Sequence, residues 1–238
     1  MPLLASSDGP SDSLSVRLTL FGLLYCALHV GTIFLKTTFA PGLTLGDWIS
    51  LLIPWAVMGA ALLAWDATGA DSWSSPGPRR LLLGAALLYA TGYGINLSAN
   101  AIGRLIPEQA QVQPSILTYF LDEHLGHILW HAGMIGVTWA LVLGARRLPA
   151  GRLSPALVVG AAAYAFAYFT EAVEGQTVPL LLPASIVFVV ILGWRRVPGA
   201  RSLVGCFVLL AHALALIQFV IWRVWQGGFP QFSDVWGL

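Results

Sequence analysis

The sequence predicts an all-α integral membrane protein that crosses the bilayer seven times. Of its 238 residues, 57% are hydrophobic and 10% are charged, and the mean hydropathy is +0.77. This composition is typical of a polytopic membrane protein, because a water-soluble domain needs more charged surface. The formal net charge of +1 leaves no basic face for nucleic acid, so we expect the lipid bilayer to be the main partner.

Seven apolar segments are about as long as membrane-spanning helices. Pro and Gly residues punctuate their connections, and no connection is long enough to fold as a second domain. We therefore expect one transmembrane domain over residues 1–238, with a short polar tail over residues 1–15. The predicted spans are Val16–Lys36, Trp48–Trp65, Arg80–Ala101, Ile116–Leu143, Leu153–Thr170, Val178–Trp194 and Leu203–Trp225.

The arginines are distributed unevenly among the predicted loops. They concentrate in the second, fourth and sixth loops, whereas the intervening loops carry only Lys36 and Arg104. Because cytoplasmic loops hold the excess of Lys and Arg, we expect a multi-pass protein of the cell membrane with its N-terminus inside and its C-terminus outside. The arginines concerned are Arg79, Arg80, Arg146, Arg147, Arg152, Arg195, Arg196 and Arg201.

The most polar stretch of a predicted span lies at the start of the fourth one. Residues 119–134 read YFLDEHLGHILWHAGM and contain three of the five histidines. Ionisable side chains are costly inside a membrane, and the usual reason for them is function. On an α-helix Glu123, His127 and His131, with His124 beside them, project within an arc of about 100°. We therefore expect a polar site in the outer half of the bilayer.

Four other spans carry polar residues in the half that this orientation places outside. Such groups face a bundle interior or a wet cavity rather than lipid. We expect helices one, three, four, five and seven to line one polar cavity, and helices two and six to face lipid. Besides the fourth span, the expected contributors are His29 in the first, Tyr93, Asn96 and Asn100 in the third, Tyr168, Glu171 and Glu174 in the fifth, and His212 and Arg223 in the seventh.

The histidines allow two interpretations. Imidazole and carboxylate groups are ligands of zinc, iron and copper, and i, i+4 spacing lets two side chains converge on one ion. Alternatively, the same side chains form hydrogen bonds between helices and only hold the bundle together. In the first interpretation the metal ligands are Glu123, His127, His131 and His212, and the general base is Asp122 or Glu171.

A known family shares part of this pattern. The shared part consists of the seven predicted spans, a helix that bears Ser98 and Asn96, an Asp122-Glu123 pair and a His127-x-x-x-His131 motif around Trp130. In these features the chain resembles the seven-helix membrane hydrolases that include alkaline ceramidases and adiponectin-type receptors. In that family the His-x-x-x-His motif lies near the last helix, whereas here it lies in the fourth span. The resemblance implies a zinc-activated water that cleaves an amide or ester of a lipid.

Three functional hypotheses follow. The first is a metal-dependent membrane hydrolase, with zinc as the preferred divalent metal, that acts on a lipid-like substrate from the outer side. The second is a proton-coupled transporter or small-ligand sensor, because histidine changes charge near neutral pH. The third is a structural membrane protein in which the polar groups only join helices.

Overall fold

The computed structural model describes residues 10–40, 42–70, 76–106, 113–194 and 197–236. Arg195 and Arg196 of the predicted sixth loop lie outside these ranges. The described helices are α1 (Pro10–Thr32), α2 (Leu45–Ser50), α3 (Ile53–Ala67), α4 (Pro76–Gly103), α5 (Gln113–Tyr119), a π-helical segment (Phe120–Gly126), α6 (His127–Gly144), a 3-10 turn (Ala145–Arg147), α7 (Pro155–Glu174), α8 (Val178–Gly193), α9 (Leu203–Gln226) and α10 (Phe232–Trp236). A two-stranded antiparallel ribbon, β1 (Thr38–Ala40) and β2 (Leu43–Thr44), joins α1 to α2.

The predicted all-helical class is confirmed, and the helices include candidate membrane spans. Six helical stretches of the described residues are long and apolar enough to cross a membrane. The predicted sixth span corresponds to α8, which has 16 residues and is about 24 Å long at 1.5 Å per residue. That length is short of the ~30 Å hydrocarbon core. A crossing by α8, and with it the total of seven crossings, therefore stays a prediction. The six stretches are Asp12–Thr32, Leu45–Ala67, Pro76–Gly103, Gln113–Arg147, Pro155–Glu174 and Leu203–Gln226.

The predicted second span is divided into two helices. Pro54 lies in the first turn of α3, where its missing N–H is tolerated, whereas inside a continuous helix it would remove a hydrogen bond and clash with the preceding turn. The chain therefore ends α2 at Ser50 and restarts at Ile53. A capping box between Thr44 and Asp47 fixes the start of α2. This short helix lies at the end of the bundle that contains the cavity described below.

Two helix pairs pack closely enough for their backbones to touch, α1 with α7 and α4 with α6. A Cβ added to Gly22 of α1 would overlap the carbonyl of Gly160 in α7, and one added to Gly133 of α6 would overlap the backbone of Tyr89 in α4. Small residues at helix crossings in membranes permit this approach and the van der Waals contact that follows. These pairs form the frame on which α3, α8 and α9 pack.

The two ends of the bundle differ in charge. At one end the hydroxyls of Ser15 and Ser154 lie 2.9 Å apart, and the Gly151 N–H donates to the Arg201 carbonyl at 3.0 Å. This end therefore brings together the start of α1 and the loops before α7 and α9. The arginines of the described residues that lie at this end are Arg17, Arg79, Arg80, Arg146, Arg147, Arg152 and Arg201.

Candidate functional site

A cavity of about 900 Å³ lies at the opposite end of the bundle. It is lined by α1, α2, α4, α6, α7, α9 and α10. Its wall is mostly apolar and aromatic, with a smaller polar part. The polar side chains in the wall include His29, Lys36, Asp47, Ser50, Asn96, Asn100, Arg104, His127, Thr170, Glu171, Glu174 and Gln218, and the aromatic ones include Phe34, Tyr93, Trp130, Phe166, Phe169, Trp222, Trp225, Phe232 and Trp236.

His127 is held in one orientation by the π-helical segment that precedes it. Its Nδ1 lies 2.8 Å from the backbone oxygen of Asp122, five residues earlier. The backbone N–H of His127 is directed instead to the carbonyl of His124, which leaves the Asp122 oxygen to the ring. Because a carbonyl only accepts, Nδ1 carries the hydrogen, and Nε2 of the neutral ring is an acceptor. π-Helical turns occur frequently at functional sites.

The same π-helical segment disrupts the common face that regular helical spacing predicted. A π-turn contains more residues than an α-turn, so Glu123 and His124 are rotated away from the direction of His127. His124 is exposed and its ring contacts the rings of Tyr119 and Phe120. The Oε2 atom of Glu123 is buried without a hydrogen-bond partner among the described residues. Neither residue lines the cavity.

Asp122 ties the π-helical segment to α4. Its Oδ1 accepts from Nδ2 of Asn96 at 2.5 Å and from Nδ2 of Asn100 at 3.1 Å. Asn96 Nδ2 also lies 3.5 Å from Nε2 of His127. Asp122 therefore acts on the cavity through its neighbours, because it orients both asparagines through its carboxylate and the histidine through its carbonyl.

Glu171 and Glu174 project from the last turn of α7 and differ in their partners. Oε2 of Glu174 accepts from the backbone N–H groups of Phe232 and Ser233 at 2.8 and 3.2 Å, and its carbonyl accepts from Gln231. Glu174 thereby fixes α10 across the cavity mouth. Glu171 lines the same cavity but has no hydrogen-bond donor or cation as a partner within the described ranges.

His127 and α7 are in direct contact. A Cβ added to Gly175 would overlap the His127 ring and lie 3.0 Å from the carbonyl of Glu171. Glycine at this position therefore lets the end of α7 close onto the imidazole. The side chains of His127 and Glu171 line the same cavity, and the polar wall of the cavity contains both of them.

An ion pair at the cavity rim joins α2 to the end of α4. The guanidinium of Arg104 contacts both carboxylate oxygens of Asp47, which is buried. The sequence prediction missed both residues, because Arg104 was assigned to a loop and Asp47 lay just before a predicted span. The signal that identifies Asp47 is its position three residues after Thr44, which is the spacing of a capping box.

His29 lines the cavity with both ring nitrogens already bonded. Nδ1 donates to the carbonyl of Tyr25 at 2.8 Å, and Nε2 accepts from the hydroxyl of Tyr89 at 2.8 Å. Trp130 stacks on this ring with centroids 5.2 Å apart, and Tyr93 contacts it edge-on. His29 therefore joins α1 to α4 and offers no free nitrogen to a ligand.

The remaining predicted site residues lie outside the cavity lining. His131 is fully buried beside Trp130, and neither of its nitrogens has a partner among the described residues. His212 lies deeper in the bundle, where its Nδ1 is 3.1 Å from the Ser185 hydroxyl and its ring stacks on Phe188. The hydroxyl of Tyr168 donates to the Leu181 carbonyl, and Arg223 is exposed.

This arrangement does not fit the metal site that the resemblance implies. Within the described ranges, no group of three His, Cys, Asp or Glu side chains is placed to hold a metal ion. His131 stacks against His127 at 5.9 Å between ring centroids, and His212 bonds to Ser185 in a different part of the bundle. Nε2 of His127 is held in one orientation, as the nitrogen of a metal ligand would be. The other predicted metal ligands do not converge on it.

Comparisons of this chain with protein-family models, with curated proteins and with solved structures gave no match.

Proposed function

We propose that this chain binds one amphipathic, lipid-like molecule in the cavity. The observation that carries the proposal is the combination, in a single volume of about 900 Å³, of a largely aromatic wall with two acceptor groups. Within the described residues the Glu171 carboxylate has no partner, and Nε2 of His127 has only a contact of 3.5 Å with Asn96. Cavities of this size and character are typical of sites for small organic ligands. The apolar part of the ligand would lie against α9 and α10, and its head group would lie at His127 and Glu171.

The position of the cavity in the bundle supports a ligand that comes from lipid. Phe34, Phe166 and Trp225 line the cavity and also have exposed fractions of 71%, 46% and 63%. In a bilayer such side chains contact hydrocarbon. The cavity is therefore continuous with the surface that faces lipid, and a molecule with an alkyl chain reaches it without passing through water.

The proposal includes the orientation that the arginines predict. Seven of the nine described arginines lie at the end opposite the cavity, and only Arg104 and Arg223 lie at its own end. The positive-inside rule therefore assigns the cavity to the outer side of the cell membrane. A reporter that is active only outside the cytoplasm is expected to give a signal when fused after Leu238 and none when fused after Arg201. The reverse pattern would assign the cavity to the cytoplasmic side.

Filling the cavity tests the binding proposal. Thr170 lines the cavity on α7, and Thr170→Trp adds an indole to that space. Thr91, on the exposed face of α4 and outside this cavity, provides the matched control Thr91→Trp. We expect native mass spectrometry of the protein purified in mild detergent to show one bound lipid-like molecule in the wild type and in Thr91→Trp, and none in Thr170→Trp. Equal loading of the two variants would contradict the proposal.

A second candidate function is hydrolysis of the bound molecule. The observation that favours it is the orientation of His127, because a ring held through Nδ1 presents Nε2 as a general base. A water that attacks an ester or amide carbonyl would give its proton to Nε2, and the leaving group would take that proton back from the imidazolium. Release of fatty acid from vesicles that contain the wild type but not His127→Ala tests this function.

A further inference from the structure

We infer that the head group of the ligand is a protonated amine. This inference rests on the proposed function and gives the chemical class of the molecule that the cavity binds. It follows from a census of donors, acceptors and charges in the polar wall.

Most side-chain donors of the polar wall are already used. The amide N–H groups of Asn96 and Asn100 are directed to Asp122, and the guanidinium of Arg104 is directed to Asp47. Two donors of the lining remain: Nε1 of Trp130, which is buried without a partner among the described residues, and the ammonium group of Lys36, which lines the cavity from an exposed position beyond the end of α1. A ligand that only accepts hydrogen bonds, such as a carboxylate or a sulfate, would therefore depend on these two groups, and it would meet the acidic side chain of Glu171 in the same wall.

The acceptors are open. Nε2 of His127 has only the long contact of 3.5 Å with Asn96. The carboxylate of Glu171 has no donor and no cation as a partner in the described part of the chain, and the charged neighbour that acts on it is Glu174, another acid. Of the three acidic side chains in the wall, Glu174 is bonded to α10 and Asp47 to Arg104, so Glu171 remains uncompensated.

Glu171 is half-buried and has no counter-ion among the described residues. Removing a carboxylate from water without a counter-ion is costly, and a ligand cation lowers that cost. An ammonium group has three donors and no acceptor, so it can bind at the Glu171 carboxylate and at Nε2 of His127 alike. The aromatic wall adds to this match, because the faces of Trp, Tyr and Phe rings attract cations. Tyr93, Trp130 and Phe169 supply such rings beside the polar wall.

Three probes with the same alkyl chain test the head group, namely octadecylamine, octadecanol and octadecanoic acid. Binding is measured as the shift in melting temperature of the purified protein in neutral lipid nanodiscs, titrated to saturation. We expect the amine to bind about ten-fold more tightly than the alcohol. A hydrogen bond to a charged group contributes more binding free energy than a neutral one, and the difference corresponds to about ten-fold in Kd. The acid is expected to bind most weakly.

Glu171→Gln removes the charge and keeps the shape of the side chain, so we expect it to abolish the preference for the amine. Asp66→Asn is the matched control, because Asp66 is exposed near the end of α3 and away from the cavity. Tighter binding of the alcohol or the acid, or an amine preference that survives Glu171→Gln, would overturn the inference while binding itself stands. Failure of all three probes to bind would count against the proposed function as well.

Discussion

The imidazole of His127 is anchored to the main chain of Asp122, five residues before it, through a contact of 2.8 Å between Nδ1 and the carbonyl oxygen. This spacing depends on the π-helical segment Phe120–Gly126. The anchor directs the second ring nitrogen toward the polar wall. Four predictions follow from this wall and from the frame that supports it.

Replacing His127 separates binding from a metal-dependent function. His127→Ala removes an acceptor from the polar wall and is expected to weaken binding of octadecylamine about ten-fold, while lowering stability by only about 1 kcal/mol. His127→Gln keeps an acceptor and is expected to have a smaller effect on binding. Metal analysis of the purified wild type is expected to give less than one ion per chain, and a stoichiometric ion that His127→Ala loses would support the metal-dependent hydrolase instead.

Replacing Asp122 tests its role as a positioning residue. Asp122→Ala leaves two amide groups without their acceptor, and we expect it to lower the free energy of unfolding by about 1–3 kcal/mol. Asp122→Asn keeps an oxygen acceptor, so its free energy of unfolding should fall by less. Amine binding by Asp122→Asn should remain within a few-fold of wild type, because the backbone carbonyl still holds His127. Denaturation in detergent measures stability, and loss of amine binding equal to that of Glu171→Gln would show a direct role.

Two glycines on facing helices give a matched test of the frame. Gly133→Ala places a methyl group against the backbone of α4 and is expected to cost at least about 1–3 kcal/mol, as overpacking does. Gly94→Ala meets nothing within 4 Å and should be neutral or stabilising by up to ~1 kcal/mol, because alanine favours the helix. Thermal unfolding of the two variants checks the difference, and equal melting temperatures would refute the close packing of α4 on α6.

Two buried histidines are expected to respond oppositely to phenylalanine. His29→Phe breaks the hydrogen bonds to Tyr25 and Tyr89 and should destabilise the protein by about 1–3 kcal/mol. His131→Phe removes two nitrogens that have no partner in the described part of the chain, so it should be neutral or stabilising. Melting temperatures of both variants test this contrast. A larger loss for His131→Phe would reveal a partner for that ring, such as a ligand atom.

The sequence was sufficient to predict which faces of the helices carry polar residues, because that depends on helical periodicity. Polar residues that recur at helical spacing predicted polar faces on α1, α4 and α7, and the structure brings His29, Asn96 and Glu171 to one cavity. Periodicity gives the face of a helix but not the depth at which a cavity opens, so Tyr168, His131 and His212 lie on regular helices and yet outside the cavity lining. The composition alone indicated membrane helices.

Other features that the sequence did not indicate arise where the chain departs from a regular α-helix or where distant segments pack together. Residue spacing cannot identify a π-turn, so Glu123 and His124 were expected beside His127. Asp47 and Arg104 are far apart in the sequence, and only the packing of α2 against α4 makes them a pair. The docking of α10 on Glu174 likewise depends on tertiary contacts that leave no local pattern.

The glycine contacts of the frame have a mechanical consequence for the cavity. The backbones of α1 and α7 meet at Gly22 and Gly160, and those of α4 and α6 meet around Gly133, so we expect each pair to move as one unit. Glu171 belongs to the first unit and His127 to the second. The seam between the units, where Gly175 abuts the His127 ring, is therefore the place where the cavity can widen to admit a chain and tighten around it without separating either pair.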